Sequence, residues 1–146
     1  MDINSEKKLI DNSRFSQLLD VKTIQYEKGE VVLQLTVDEH HKNAIQTVHG
    51  GVLATLIDNV IGATITSITN LPSTTINLNI QYLKPAQAGI LTVKANILHL
   101  GYRIITGEGI VTDQENNTIA KGAGTFKLLR PKKESSLNSN LNQSIQ

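Results

Sequence analysis

The stretch from His49 to Asp58 holds two features that can act on a carbonyl group. Gly50 and Gly51 follow His49 at the head of a long apolar run. Backbone N–H groups in the first turn of a helix lack intrahelical partners and carry partial positive charge. A glycine leaves them bare of side-chain cover, so a bulky acyl carbonyl can approach the main chain of Gly50 and be polarised there. Asp58 lies in the same run beside Ile57 and Val60, where an idle charge is unfavourable and a carboxylate that activates water, or attacks a carbonyl itself, has a use. Each feature also has a plainer reading: a glycine-softened helix start capped by His49, and a structural aspartate bonded to a neighbour. Taken singly, these residue types leave both readings open.

Spacing adds a constraint. Asp58 follows Gly50 by eight residues, a rise of roughly 12 Å along a helix. One carbonyl cannot use both groups of the same chain. If both act on one substrate, they come from two copies whose central helices lie antiparallel across a two-fold axis, giving a homodimer with two composite sites.

The elements that must position these residues follow from hydrophobic periodicity. Residues 5 to 19 carry a short helical pattern through Phe15, Leu18 and Leu19. Two strand-like runs between Val21 and Val37 flank Lys28-Gly29-Glu30 and predict a hairpin. After Gly51, apolar residues recur at helical spacing from 52 to 68, leaving Thr55, Asp58, Asn59, Gly62, Thr66 and Thr69 on a narrower polar face. Ile76, Leu78, Ile80 and Tyr82 then alternate with polar residues, predicting a strand with one buried face that ends before Pro85. Three further runs, about 90 to 100, 103 to 112 and 118 to 129, predict an antiparallel meander in which Gly107 and Gly109 permit a bend around the helix. The expected fold class is α+β, one long helix covered by one curved antiparallel sheet over residues 1–130. Residues 131–146, rich in Ser, Asn, Gln and Lys, read as a flexible tail.

Composition narrows the function classes. A chain of 146 residues has room for one core and no separate cofactor module. Fourteen basic against thirteen acidic residues, with 3% aromatics, give neither a phosphate-neutralising stripe nor stacking platforms, so nucleic acid is not an expected partner. The absence of cysteine removes thiol nucleophiles and thiolate metal sites and suits a reducing cytoplasm. His40 and His41 are adjacent and His99 is distant, a spacing that predicts no metal site. Asp58 and Asn59 interrupt the most apolar stretch, which therefore reads as a buried helix and not a membrane span.

The run Asn43-Ala44-Ile45-Gln46-Thr47-Val48-His49-Gly50-Gly51-Val52-Leu53-Ala54-Thr55-Leu56-Ile57-Asp58 resembles the signature of the PaaI-like, or thioesterase superfamily member 2-like, hot-dog thioesterases. The run Thr75-Ile76-Asn77-Leu78-Asn79-Ile80-Gln81-Tyr82-Leu83-Lys84-Pro85-Ala86 resembles the strand that follows the central helix in that family. The likeness, with the element order, spans about residues 10 to 130. It implies a hot-dog fold and hydrolysis of acyl-CoA thioesters without a cofactor, by a homodimer or a dimer of dimers. By the same resemblance, Asp58 is general base or nucleophile, the Gly50 N–H polarises the thioester carbonyl, Asn43 positions substrate or water, Thr75 orients the attacking water, and His49 orients the loop and substrate. Gly51 joins the substrate-contacting residues, and Lys84, Arg103 and Lys121 are candidates for the CoA moiety, each of which also reads as ordinary solvated charge.

Two departures stand out: Gln46 occupies a position where the family commonly has glycine, and Asn77 one where an aspartate is frequent. Thr75 also falls on the polar side of its strand, opposite Ile76, so only sheet twist or a second copy would bring it to Asp58. Two other classes compete. A non-catalytic acyl-CoA-binding hot-dog protein would not need Asp58, and a hot-dog hydratase would want a His and carboxylate set for proton abstraction, for which His49 and Asp58 are the only nearby pair.

Overall fold

The computed structural model describes residues 13–132. The N-terminal part of the expected first helix, residues 5 to 12, and nearly all of the expected tail lie outside the described residues. A short helix α1 (Arg14–Leu18) opens the described chain, its first turn capped by the Ser13 hydroxyl. Strands β1 (Lys22–Glu27) and β2 (Glu30–Thr36) form the expected hairpin, with Gly29 at φ 79 in its turn, a backbone conformation that favours glycine. The long helix α2 (Gly50–Thr69) follows, and then β3 (Ser73–Tyr82), β4 (Ile90–Leu100), β5 (Ile104–Thr112) and β6 (Thr118–Leu128).

The six strands make one antiparallel sheet in the order β1-β2-β4-β5-β6-β3. The sheet packs against α2, the hot-dog arrangement the sequence implied. By length and composition α2 could cross a membrane, but more than half of it is buried within the protein. Leu56, Ile57, Val60, Ile61 and Ile65 are fully buried on its core side, against Leu33 and Leu35 of β2, Leu91 and Val93 of β4, and Ile105 and Val111 of β5. Burial of this kind contributes roughly 1.5–3 kcal/mol per large aliphatic side chain.

Helix and sheet approach closely where glycines face each other across the strands. Gly107 pairs with Gly124, and Gly109 with Gly122. A Cβ at Gly107 would stand 2.8 Å from Ile61 Cγ2, and one at Gly109 would stand 3.1 Å from Ile57 Cγ2. These positions therefore let α2 lie down on the sheet, which is a packing role alongside any bend.

Strand β3 corrects one expectation. Ile76 and Tyr82, expected on a buried face with Leu78 and Ile80, are 57% and 55% exposed. β3 is an edge strand, so fewer neighbours cover it, and its register against β6 slips between Thr75 and Asn77. The extra residue, Ile76, is turned outward, while Leu78 and Ile80 still pack against the core.

Candidate active site

The polar face of α2 is real: Thr55, Asp58, Asn59, Gly62, Thr66 and Thr69 are all half-buried, between the buried positions of the helix. Asp58, Asn59, Gly62 and Thr66 form one wall of a cavity of about 260 Å³, closed by Ser13 and Ser16 of the α1 region, by Ser73 and Thr75 of β3, and by Phe126. The Thr75 hydroxyl donates to Asp58 Oδ1 at 2.6 Å within the same chain. This corrects the expectation that Thr75 points away: the slip at Ile76 reverses the alternation upstream, so Ser73 and Thr75 face the helix. Among the described residues this is the carboxylate's one side-chain hydrogen bond, so the acid is oriented but not enclosed in a network.

Asn59 and Ser16 are site-lining residues that sequence patterns did not single out. Asn59 Nδ2 donates to the buried Ser16 Oγ at 2.9 Å, tying α1 to the central helix beside Asp58. Asn59 carried one sequence signal, its place on the polar face of the central helix, and Ser16 carried none.

The N-terminus of α2 belongs to a second cavity of about 310 Å³, lined by Asn43, Thr47, Gly50, Leu53, Tyr82 and Lys84, among others. His49 is the N-cap, and its Nδ1 accepts from the Gly51 N–H at 2.8 Å. Val52 and Leu53 donate to the His49 carbonyl, and the His49 N–H donates to His41 O. The Gly50 N–H has no partner among the described residues, which leaves it as the one uncommitted donor of this turn. Gly51, expected to contact substrate, has its amide committed to the cap, and His49 takes the plainer capping role that its position allowed.

Asn43 organises the loop in front of the helix. Its Oδ1 accepts from the N–H groups of Ile45 and Thr47, both at 3.1 Å, and its Nδ2 donates to Thr47 Oγ1 at 2.9 Å. Within this loop Gln46 adopts φ 64, the left-handed region, which accounts physically for a preference for glycine there. Beneath it, the buried His41 accepts the Asp38 N–H at Nδ1 (2.9 Å) and bonds Leu19 O through Nε2 (2.7 Å). Since Nδ1 accepts a hydrogen bond, Nε2 carries the proton and donates to Leu19 O. His41 thus links the end of α1, a wall of the Asp58 cavity, to the strap that feeds His49 and Gly50.

The basic candidates are not gathered in one protomer. Lys84 lines the Gly50 cavity, and its N–H donates to Ile119 O, two residues before Lys121. Lys121 lies 3.8 Å from Glu108 on an exposed part of the sheet. Arg103 sits opposite Leu128, at the other end of β6, about 20 Å from Lys121 at strand rise. Asn77, the other departure from the family pattern, is exposed on β3.

One chain therefore carries two half-sites. Asp58 and Thr75 line one cavity and Gly50 and Asn43 the other, with no lining residue in common. Comparison with known proteins gives this arrangement a family. Residues 45–120 match the sequence model of the Thioesterase superfamily. The human protein acyl-coenzyme A thioesterase 13 is 33% identical over 103 residues, 68% of this chain and 74% of that protein. The structure of zebrafish thioesterase superfamily member 2 superposes with a TM-score of 0.77 at 26% identity, over 89% of this chain and 99% of that one. A Streptococcus mutans protein, solved bound to acetyl CoA, superposes with a TM-score of 0.72 at 26% identity, over 77% of this chain and 91% of that one. With a glycine amide at the head of its central helix that has no partner among the described residues, and an aspartate further along it, the chain belongs to the thioesterase superfamily, as a hot-dog thioesterase of the PaaI-like, thioesterase superfamily member 2-like kind.

Proposed function

We propose that this thioesterase hydrolyses acyl-CoA to free acid and CoA, with Asp58 of one copy and the Gly50 N–H of a second copy acting on the same thioester. The observation that carries this reading is the division of the two groups between separate cavities of one chain, each group left available for substrate. An antiparallel pairing of two central helices sets each aspartate opposite the other copy's helix N-terminus. The free edge of β3, with Ile76, Tyr82 and Leu83 exposed along it, is the kind of surface that a second copy covers.

In this scheme the Gly50 N–H stabilises negative charge developing on the thioester oxygen, while Asp58 either takes a proton from a water that adds to the carbonyl, or itself adds to give an acyl anhydride that water then hydrolyses; in both routes the C–S bond breaks and CoA leaves as thiolate. The Thr75 hydroxyl holds the carboxylate in one rotamer. The names of the human relative and of the acetyl CoA-bound structure support CoA as the carrier. Lys84 from one copy and Arg103 from the other come to the same end of such a pair, suited to the phosphates of CoA.

Release of free thiol from a panel of acyl-CoAs tests the reading, comparing native protein with Asp58→Asn. The substitution should lower kcat by roughly 100-fold or more while leaving the fold intact, because the amide oxygen still accepts from Thr75. Binding without thiol release would make the protein a carrier or sensor, and loss of an enoyl double bond without thiol would make it a hydratase.

A further inference from the structure

The Tyr82 side chain is more than half exposed and adds little to the core, yet it makes a specific contact with the main chain of α2. Its hydroxyl donates to the Gly50 carbonyl at 2.9 Å. The same peptide unit carries the Gly51 N–H, which donates to His49 Nδ1 at 2.8 Å. A peptide group is planar, so a hydrogen bond at each polar end fixes its rotation. The N–H groups of a helix's first turn have no preceding turn to bond, so the His49 clamp serves one of them, while Tyr82 adds a second bond to a carbonyl that also opens the helix's own ladder.

The ring has a second effect. A Cβ at Gly50 would stand 3.1 Å from Tyr82 Cζ, 3.2 Å from its hydroxyl oxygen and 3.3 Å from Cε1. The tyrosine therefore fills the space that a side chain at position 50 would take. Glycine at 50 and tyrosine at 82 form a matched pair in the lining of one cavity.

We propose that Tyr82 is a positioning residue: by gripping the Gly50–Gly51 peptide from strand β3, it fixes the backbone at Gly50 Cα and so steadies the adjoining His49–Gly50 peptide, whose N–H is the donor to the thioester oxygen. The proposal rests on Gly50 as the oxyanion donor. Such donors act only when their geometry is set in advance, and removing one outright costs about 100- to 1000-fold in kcat. Loosening one of two clamps should cost less. His49 holds the N–H side of the peptide, and Tyr82 the carbonyl side.

The test uses the full-length protein and two readouts. Amide hydrogen exchange at Gly50 and Gly51, followed by NMR, reports the clamp whether or not the protein turns over substrate. Steady-state thiol release from acetyl-CoA and a longer acyl-CoA reports catalysis. Tyr82→Phe keeps the ring and removes the hydroxyl. It should speed exchange at Gly51 and lower kcat roughly tenfold, with KM changed less than about twofold and the unfolding midpoint nearly unmoved. Gly50→Ala should be impaired in the native background, where the Tyr82 ring must yield by a few tenths of an ångström and loosen its bond to Gly50, and cost less on top of Tyr82→Ala, where that crowding is gone. Unchanged exchange with intact kcat in Tyr82→Phe overturns the positioning role alone. Faster exchange at Gly51 alone with unchanged kcat overturns that role, and faster exchange at Gly50 as well with unchanged kcat overturns both that role and Gly50 as oxyanion donor. A rise in KM at constant kcat makes Tyr82 a substrate contact, and independent costs for Gly50→Ala and Tyr82→Ala overturn the matched pair.

Discussion

Thr75 Oγ1 lies 2.6 Å from Asp58 Oδ1, although simple alternation along β3 would turn Thr75 away from the helix. The strand slips by one residue against β6 at Ile76. Downstream, Leu78 and Ile80 face α2; upstream, Ser73 and Thr75 do. An irregularity in an edge strand thus delivers a hydroxyl to a half-buried carboxylate, and the apolar Ile76 takes the exposed position.

Loss of that hydroxyl should show in catalysis before stability. A hydrogen bond to a charged group contributes about 1.5–3 kcal/mol, so Thr75→Val should lower kcat roughly 10- to 100-fold by freeing the Asp58 rotamer. Thr75→Ser, which keeps the donor, should remain within a few-fold of native. Steady-state thiol-release kinetics on the two variants make the comparison, and equal losses in both would remove the hydroxyl from the account.

Gln46 holds φ 64 in the loop ahead of the central helix. A side chain in that conformation costs about 1 kcal/mol, part of which is regained because glycine has a more disordered unfolded state. Gln46→Gly should therefore raise stability by up to about 1 kcal/mol, read from the urea midpoint at unchanged slope. A lower midpoint would mean that the glutamine side chain makes a compensating contact.

His41 is buried and bonded on both ring nitrogens. His41→Phe preserves much of the volume but strands the Asp38 N–H and the Leu19 carbonyl, which should cost about 2–4 kcal/mol in chemical denaturation. Because His41 also accepts from the His49 N–H through its own carbonyl, the loss should extend to α1 and the start of α2 in hydrogen exchange, ahead of the central strands.

Much of this architecture is legible in the chain, for physical reasons that differ by element. The helical spacing from Val52 onward and the alternation in β2 announce α2 and its partner strand, because one buried face dictates both patterns. Gly50 and Asp58 could be picked out because bare amides and charges in apolar surroundings are chemically conspicuous. The facing of Thr75 could not be read, since alternation carries no mark of a one-residue slip. Exposure of Ile76 and Tyr82 depends on β3 lying at the sheet edge, which is a matter of strand order and not of local pattern. Which of the two glycine amides is capped could not be read either, because adjacent amides look alike in sequence and only the placement of His49 Nδ1 decides between them. The left-handed Gln46 left one trace, a side chain where glycine is usual.

The central claim is that catalysis needs Asp58 from one copy and the Gly50 N–H from another, and mixed assemblies test it most directly. Gly50→Pro removes the amide hydrogen at the first helical position, where the extended ψ of 135 at His49 suits a following proline, and its ring also crowds Tyr82, so the half-site is disabled by both routes. Asp58→Asn and Gly50→Pro should each be nearly inactive alone. Co-expressed with distinct tags and purified as the heterodimer, the pair should regain about half of the native rate, because one of its two composite sites is intact. A heterodimer as inactive as its parents would show that both groups act within one chain, or that one of them does not act at all, and would contradict the account.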